Sequence, residues 1–265
     1  MSQAGPVVPR TGSTVTGLLG LAALVAMGTT VVLGLGLPPT VEQGIYARLI
    51  AIHPPLAWAA YLAFGVAAAS SALWLWPRTR ARRYDRVAAA SAEVGVVFCA
   101  LTLVTGAIWG RPTWGVWWTW DARLTTTALL LALFLGYLAL RRVGGTLEVR
   151  ARRSAVVALV AVADVPIVHY SVTWWRTLHQ DRSLTITPQN ELDGAYTAVM
   201  LLGFVAMTLT YCWLLVQRYR VEVTEERDEL AGLDVALAAR RAEAGDEAPA
   251  PAPSPVPTVE EPVGS

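Results

Sequence analysis

The chain has 265 residues, of which 54% are hydrophobic and only 15% are charged. Because soluble domains carry about 25% charged residues, this chain has too few polar side chains to cover a soluble globule. Its 21 basic residues are all arginine and nearly balance 20 acids, for a formal net charge of +1. The overall charge therefore does not indicate a nucleic-acid partner.

Six apolar runs are long enough to cross a bilayer core of about 30 Å. They span 15–37, 56–76, 87–109, 124–140, 154–170 and 195–216. The runs lack the period-2 alternation of barrel strands, and helices are the other structure that satisfies the backbone in lipid. The first run has no small-x-small cleavage site before polar sequence, so we expect a retained helix rather than a signal peptide. The predicted fold is an all-α polytopic membrane protein with six transmembrane helices in residues 15–216, after an N-terminus of residues 1–14.

The C-terminal segment, residues 217–265, differs in composition from the rest. It carries 11 acids against five arginines and ends in alternating alanine and proline. Such a composition buries too little apolar surface to offset the entropy of ordering. Its first part can extend the sixth helix, and we expect most of the segment to be a disordered, solvated tail.

Few ionisable groups and thiols lie inside the predicted spans. Glu93 and Asp164 are intramembrane acids, which default to a functional or paired role, and Pro166 would free a backbone carbonyl near Asp164. Cys99 and Cys212 lie at different predicted depths, which disfavours a disulfide. We interpret both cysteines as small packing residues.

The arginines predict the orientation of the chain in the membrane. Sixteen lie in the termini and in the connections after the second and fourth spans, and five lie in the other three connections. Because cytoplasmic loops carry the excess of basic residues, we expect both termini in the cytoplasm and three connections outside.

All three histidines and eight of the eleven tryptophans then fall on the outer side of the membrane. An aromatic belt explains tryptophans at this depth, but a belt should occupy both interfaces. The inner side holds only Trp74, Trp76 and Trp213. A belt alone is therefore an incomplete explanation.

A tryptophan-rich outer loop is predicted at 109–123. It is too aromatic to face water, so its rings must lie on lipid or on a large flat ligand, on which indoles stack favourably. The candidate ligand contacts are Trp114, Trp117, Trp118, Trp120, Trp174 and Trp175. Asp121 stands just before the fourth span, where it can cap the helix, bind a ligand, or do both.

The histidines suggest metal ligands. His53 precedes two prolines, so we expect it at the N-terminal edge of the second helix, where the helix dipole keeps imidazole neutral. His179 follows Trp175 by four residues, so one helical turn would place both rings on one face, although a solvated loop histidine is an equal alternative. His169 lies among apolar neighbours, where packing or hydrogen bonding is favoured over a ligand role.

Two neutral imidazoles from different elements, facing an aromatic pocket, are the axial ligands that haem iron takes. Haem also carries two carboxylates, which arginine pairs bidentately. The outer arginines include Arg111 and Arg123, which bracket the tryptophan loop. Interfacial anchoring is an equal alternative for each arginine taken singly.

Three segments together resemble a known family. They are WGRPTWGVWWTWDARLT at 109–125, IHPPLAW at 52–58 and PIVHYSVTWWRTLHQ at 166–180. The first resembles the "WWD" signature of haem-handling proteins, and its WDARLT ending is similar to the cytochrome c maturation protein C (CcmC) family. The resemblance covers roughly residues 15–217. The second proline at 55 and the long tail are mild departures from the family pattern.

The resemblance implies a six-span protein of the bacterial cytoplasmic membrane that holds haem b at the outer face, with His53 and His179 as axial ligands. The tryptophan loop would cradle the haem and present it to the haem chaperone CcmE, with help from CcmD and the CcmA/CcmB transporter. The implied role is transport and delivery, not catalysis.

Three other functions compete with this one. A b-type electron-transfer cytochrome would need histidine pairs buried in facing spans, whereas two of the three histidines here lie at a helix edge or in a loop. A haem lyase of the same superfamily would carry more spans and a large outer domain. A plain transporter subunit would depend on partners, because the chain has no nucleotide-binding motif.

Overall fold

A computed structural model describes residues 13–179 and 194–246 of the chain. Within these ranges the fold consists of seven α-helices and one short 3₁₀ helix, Ile45–Ala51. The α-helices are α1 Thr14–Gly36, α2 His53–Leu75, α3 Arg82–Trp114, α4 Ala122–Arg142, α5 Leu147–Val162, α6 Asp164–Trp174 and α7 Gly194–Asp246. They form six segments that are long and apolar enough to cross a membrane, so the predicted all-α polytopic class is confirmed.

The third span is longer than predicted and shortens the tryptophan loop. Helix α3 runs through Pro112 to Trp114 and ends where Gly115 adopts a φ of 80°. Proline removes a helical hydrogen bond, but two bonds hold this last turn: the Thr113 hydroxyl donates to Trp109 O at 2.9 Å, and Gly115 N–H donates to Arg111 O at 3.0 Å. The loop therefore comprises only residues 115–121, and the prediction that it begins at 109 is wrong.

The fifth span is built from two helices. Helix α5 ends at Val162 and α6 begins at Asp164, with Ala163 between them. Pro166 has no N–H to donate to the Val162 carbonyl, which explains a break at this point. The break leaves Asp164 buried at 5% exposure. Its Oδ2 has no hydrogen-bond partner among the residues that the structure describes.

The C-terminal segment is helical where it is described. Helix α7 continues to Asp246, so the expectation of a mostly disordered tail is wrong for residues 217–246. These residues include many alanines, leucines, glutamates and arginines and contain no proline, a composition with high helix propensity. The chain divides into two compact units, Met1–Val223 and Thr224–Ser265. The alanine- and proline-rich end lies outside the described residues.

Small residues let α2 and α3 approach closely, as is common between membrane helices. A Cβ on Gly95 would lie 2.6 Å from Cε1 of Phe64, so only glycine fits against that ring. Phe64 in turn stacks on Phe134 of α4, with ring centroids 3.8 Å apart and planes within 12°. Both phenylalanine side chains are fully buried and join three helices in one apolar core.

Ion pairs hold the other end of the bundle together, where α2 and α4 end and α3 begins. Arg141 donates to Asp85 Oδ1 at 2.7 Å and to Glu222 Oε1 at 2.9 Å. Arg218 on α7 forms a bidentate pair with Glu93. The intramembrane acid Glu93 is therefore paired with a base, which gives it a structural role at a distance from the histidines.

Candidate ligand-binding site

A cavity of about 510 Å³ lies at the end of the bundle where α2 begins and α3 ends. This volume is within the roughly 300–1,000 Å³ of small-molecule sites. All three histidines line it, together with aromatic residues from several helices and one arginine: His53, His169, His179, Trp58, Tyr61, Trp109, Trp114, Phe204 and Arg123. Residues that are far apart in sequence therefore meet around one apolar cavity.

His53 is the first residue of α2, as the two following prolines predict. Its Nδ1 lies 3.0 Å from the hydroxyl oxygen of Thr105 on α3. Its ring meets the Trp109 indole edge to face, at a centroid distance of 5.7 Å. A Cβ on Gly106 would lie only 3.0 Å from Cε1 of His53, so this glycine gives the imidazole room. Residues of α3 therefore contact the His53 ring on several sides and position it.

His179 is held by Asp121. Its Nδ1 lies 2.8 Å from Asp121 Oδ2, and the imidazole packs edge to face on Trp114 at 4.7 Å. Helix α6 ends at Trp174, with Trp175 as its extended C-cap, so the predicted helical turn from Trp175 to His179 is wrong. The indole that meets His179 comes from α3 instead.

Asp121 acts through both of its carboxylate oxygens. Oδ1 accepts the backbone N–H of Leu124 at 2.8 Å and caps α4, which confirms the predicted capping role. Oδ2 accepts from His179. Partial burial favours the neutral carboxyl, but the hydrogen bonds from His179 and Leu124 outweigh it and lower the pKa of Asp121. The carboxylate is therefore charged when it holds the imidazole.

The tryptophans that sequence reasoning grouped together take different places. Trp114 lines the cavity, whereas Trp117 and Trp120 are 60% and 79% exposed. Trp118 packs edge to face on Trp120 at 5.5 Å. Its buried Nε1 lacks a hydrogen-bond partner within residues 13–179 and 194–246. Helix α3 thus offers one indole, that of Trp114, to the cavity, whereas the loop exposes the indoles of Trp117 and Trp120.

Of the remaining predicted site residues, only Arg123 is among those that line the cavity. Trp174 and Trp175 are 58% and 50% exposed, and Trp174 stacks on Tyr170 at 5.6 Å. Arg111 donates to the carbonyl oxygen of Gly115 and so stiffens the loop. Arg123 lines the cavity and donates to the His169 carbonyl oxygen at 3.3 Å.

Sequence reasoning missed several lining residues on α2 and α3. On α3 these are Cys99, Thr102, Leu103, Gly106, Trp109, Gly110 and Thr113. Their spacing of three and four residues marks one face of a helix. Pro54, Ala57, Trp58 and Tyr61 repeat that spacing on α2. The periodicity was the available signal, but it does not separate a cavity-facing side from a lipid-facing one.

The fold and the site define a polytopic helical membrane protein with a histidine- and tryptophan-lined cavity at one end of its bundle. The sequence profile of the family described as "Heme exporter protein C" (CcmC) matches residues 4–232. The chain belongs to this family.

Three bacterial relatives carry the name "Heme exporter protein C". The Haemophilus influenzae protein is 35% identical over 79% of this chain and 85% of its own length. The Bradyrhizobium diazoefficiens protein is 35% identical over 82% and 83%, respectively. The Escherichia coli K12 protein is 35% identical over 72% and 78%. These relatives and the six apolar helices identify a multi-pass inner-membrane protein.

The two functions of Asp121 can be separated by substitution. Asp121→Ala removes the cap and should lower the free energy of unfolding by about 1 kcal/mol. Asp121→Asn keeps an oxygen for the Leu124 N–H, because asparagine is also a good N-cap. Its amide nitrogen cannot accept from His179. We expect near-normal thermal stability for the Asn variant and a lower melting temperature for the Ala variant in detergent. Equal melting temperatures would contradict the capping role.

Proposed function

We propose that this chain binds haem b in the cavity as part of cytochrome c maturation, with His53 and His179 as the axial ligands. The observation that carries the proposal is that both imidazoles line one cavity while the Nδ1 of each is engaged, by Thr105 and by Asp121 respectively. This leaves Nε2 of each ring as the nitrogen available to a metal.

The donor set suits a metal that brings most of its own ligands. A bare zinc ion is held by about three or four protein donors. No group of three or more His, Cys, Asp or Glu side chains gathers for a metal within the described ranges. A porphyrin supplies four nitrogens in a plane and needs only two axial ligands from protein. The names of the bacterial relatives, which specify haem, support the same choice.

Arg123 is the proposed partner of the haem carboxylates. It is the one arginine among the described residues that line the cavity, and its backbone lies two residues after Asp121. A guanidinium pairs a carboxylate bidentately and keeps its charge when partly buried. The Asp121–Arg123 segment would thus hold one axial ligand and one edge of the haem together.

The tryptophans have two proposed roles. Trp114 lies in the cavity and would contact the macrocycle directly. The other indoles lie in the segments between Trp114 and Arg123 and between His169 and His179, whose end residues line the cavity. Apolar rings that are exposed near a site rest on lipid or meet a protein partner. We propose that Trp117, Trp118, Trp120, Trp174 and Trp175 form the rim through which haem passes to the chaperone CcmE, with CcmD and the CcmA/CcmB transporter in the same system.

The proposed role is delivery rather than catalysis. The relatives are named as exporters, not as lyases. His179 lies outside the helices, whereas a b-type electron-transfer site would bury its histidines in facing spans. The excess of arginine at the opposite end of the bundle supports placing the cavity at the outer face, with both termini in the cytoplasm.

The ligand pair is tested by the absorption spectrum of the purified, haem-loaded protein. The wild type should show six-coordinate, low-spin haem. His53→Ala and His179→Ala should each shift the haem towards five-coordinate, high-spin iron and lower haem affinity more than about 10-fold.

His169→Ala discriminates among the three possible histidine pairs and should keep the six-coordinate spectrum. Loss of low-spin haem in the His169 variant, with retention in either of the other two, would refute the proposed pair. A wild-type protein that takes up no haem would refute the function itself.

The role of Arg123 is tested with haem and with its dimethyl ester, which lacks the charged carboxylates. Arg123→Gln should weaken haem binding about 10- to 100-fold, since hydrogen bonds between charged groups contribute about 1.5–3 kcal/mol. It should affect the ester little. Arg111→Gln is the control variant. The Arg111 guanidinium bonds to the loop rather than to the cavity, so this variant should weaken the binding of haem and of its ester equally. Equal losses for haem and ester in the Arg123 variant would contradict the assignment.

The orientation is tested by labelling single cysteines with an impermeant maleimide from outside intact cells. Cys99 and Cys212 would first be replaced, and cysteine introduced at Thr113 or at Arg80, both of which are exposed. We expect labelling at 113 and none at 80. The reverse pattern would place the cavity on the cytoplasmic side.

A further inference from the structure

The hydroxyl of Thr105 has only one proton, and the geometry shows where it goes. The hydroxyl oxygen lies 2.8 Å from the carbonyl oxygen of Leu101 and 3.2 Å from that of Thr102, both in its own helix. Carbonyl oxygens only accept, so the Thr105 hydroxyl donates to the helix backbone. Towards Nδ1 of His53, at 3.0 Å, the same oxygen must then act as an acceptor. His53 therefore carries its proton on Nδ1.

We propose that Thr105 is the positioning residue of His53: its hydroxyl selects the Nδ1–H tautomer and so keeps the Nε2 lone pair available for haem iron. This inference rests on the proposed function. It follows the general rule that a ligating histidine donates its other N–H to a fixed acceptor, which sets its tautomer and orientation.

The neighbours of Thr105 limit the rotation of the ring. Gly106 leaves the space that Cε1 occupies, and Trp109 contacts the ring edge to face one turn later along α3. These three residues lie within about one turn of α3, whereas His53 stands at the start of α2. The ring is therefore held by α3 as well as by its own backbone.

The two axial ligands are consequently unequal. His179 donates to the charged carboxylate of Asp121, whereas His53 donates to a neutral hydroxyl. A charged acceptor forms the stronger hydrogen bond and draws more of the proton, which makes the imidazole a stronger electron donor to a metal. A bond from haem iron to His53 would therefore be the weaker of the two and would release first.

Thr105→Val tests the positioning role, because valine matches the shape of threonine without the hydroxyl. The variant should lower haem affinity about 10- to 100-fold and raise the high-spin fraction of the bound haem. Thr105→Ser restores the hydroxyl and should restore the low-spin spectrum. Thr126→Val is the matched control, since that hydroxyl donates to Ala122 O at 2.7 Å within α4 and does not line the cavity.

Two results would overturn the positioning role while leaving the proposed function intact. The first is that the wild type binds haem and that Thr105→Val binds it with the same absorption spectrum and the same affinity. The second is that Thr105→Ser, at an unchanged melting temperature, fails to restore the low-spin spectrum and the haem affinity that Thr105→Val loses. Such a result would mean that the shape of the side chain matters and the hydroxyl does not. Wild type without haem would instead refute the proposed function.

The inequality of the ligands is tested by the rate of haem transfer to excess apomyoglobin. His53→Ala keeps the stronger ligand and should release haem more slowly than His179→Ala, which keeps the weaker one. Equal rates, or the reverse order, would overturn the inequality even if Thr105 positions His53.

Discussion

The carboxylate of Asp121 joins the start of a membrane helix to the end of a loop. One oxygen caps α4 and the other holds His179, so the position of this histidine depends on where α4 begins. Helix α4 is in turn fixed by Phe134, which stacks on Phe64 in the core of the bundle. The packed core of the bundle thereby fixes the position of His179, although His179 itself belongs to no helix.

The other histidine, His53, is positioned by different contacts with the same bundle. His53 begins α2, and its ring contacts residues of α3, among them Thr105. About three turns before Thr105 along α3, Gly95 lets α3 come into close contact with α2, which brings Thr105 within reach of the imidazole. Two hydrogen bonds that the histidines donate to unlike acceptors thus orient both rings towards one cavity. In the proposed haem complex, this difference would make binding firm on the His179 side and release easier on the His53 side, which suits delivery.

The sequence predicted what hydropathy and rarity can show. Six apolar runs predicted the six helical spans, and the few histidines and many tryptophans drew attention to one end of the bundle. The prolines after His53 correctly placed it at a helix start. Asp121 was correctly predicted as a cap because capping is a local interaction.

Other features could not be predicted because they depend on contacts between distant segments. The Asp121–His179 pair spans 58 residues, and no spacing rule connects them. The Thr105 hydroxyl is one of several in α3, and a helix in lipid is apolar on all sides, so periodicity does not show which side faces a cavity. Helix α3 continues through Pro112 to Trp114, and its last turn has hydrogen bonds from the Thr113 hydroxyl and the Gly115 N–H, which a rule that ends helices at proline does not anticipate.

The proposed haem site is tested most directly by a structure of the haem-loaded protein in lipid nanodiscs, at a resolution that locates the iron. We expect a planar density inside the cavity, with iron between Nε2 of His53 and Nε2 of His179, and with Nδ1 of each ring still hydrogen-bonded to Thr105 and Asp121, respectively. Haem bound elsewhere on the chain, or ligated by any other pair of side chains, would contradict it.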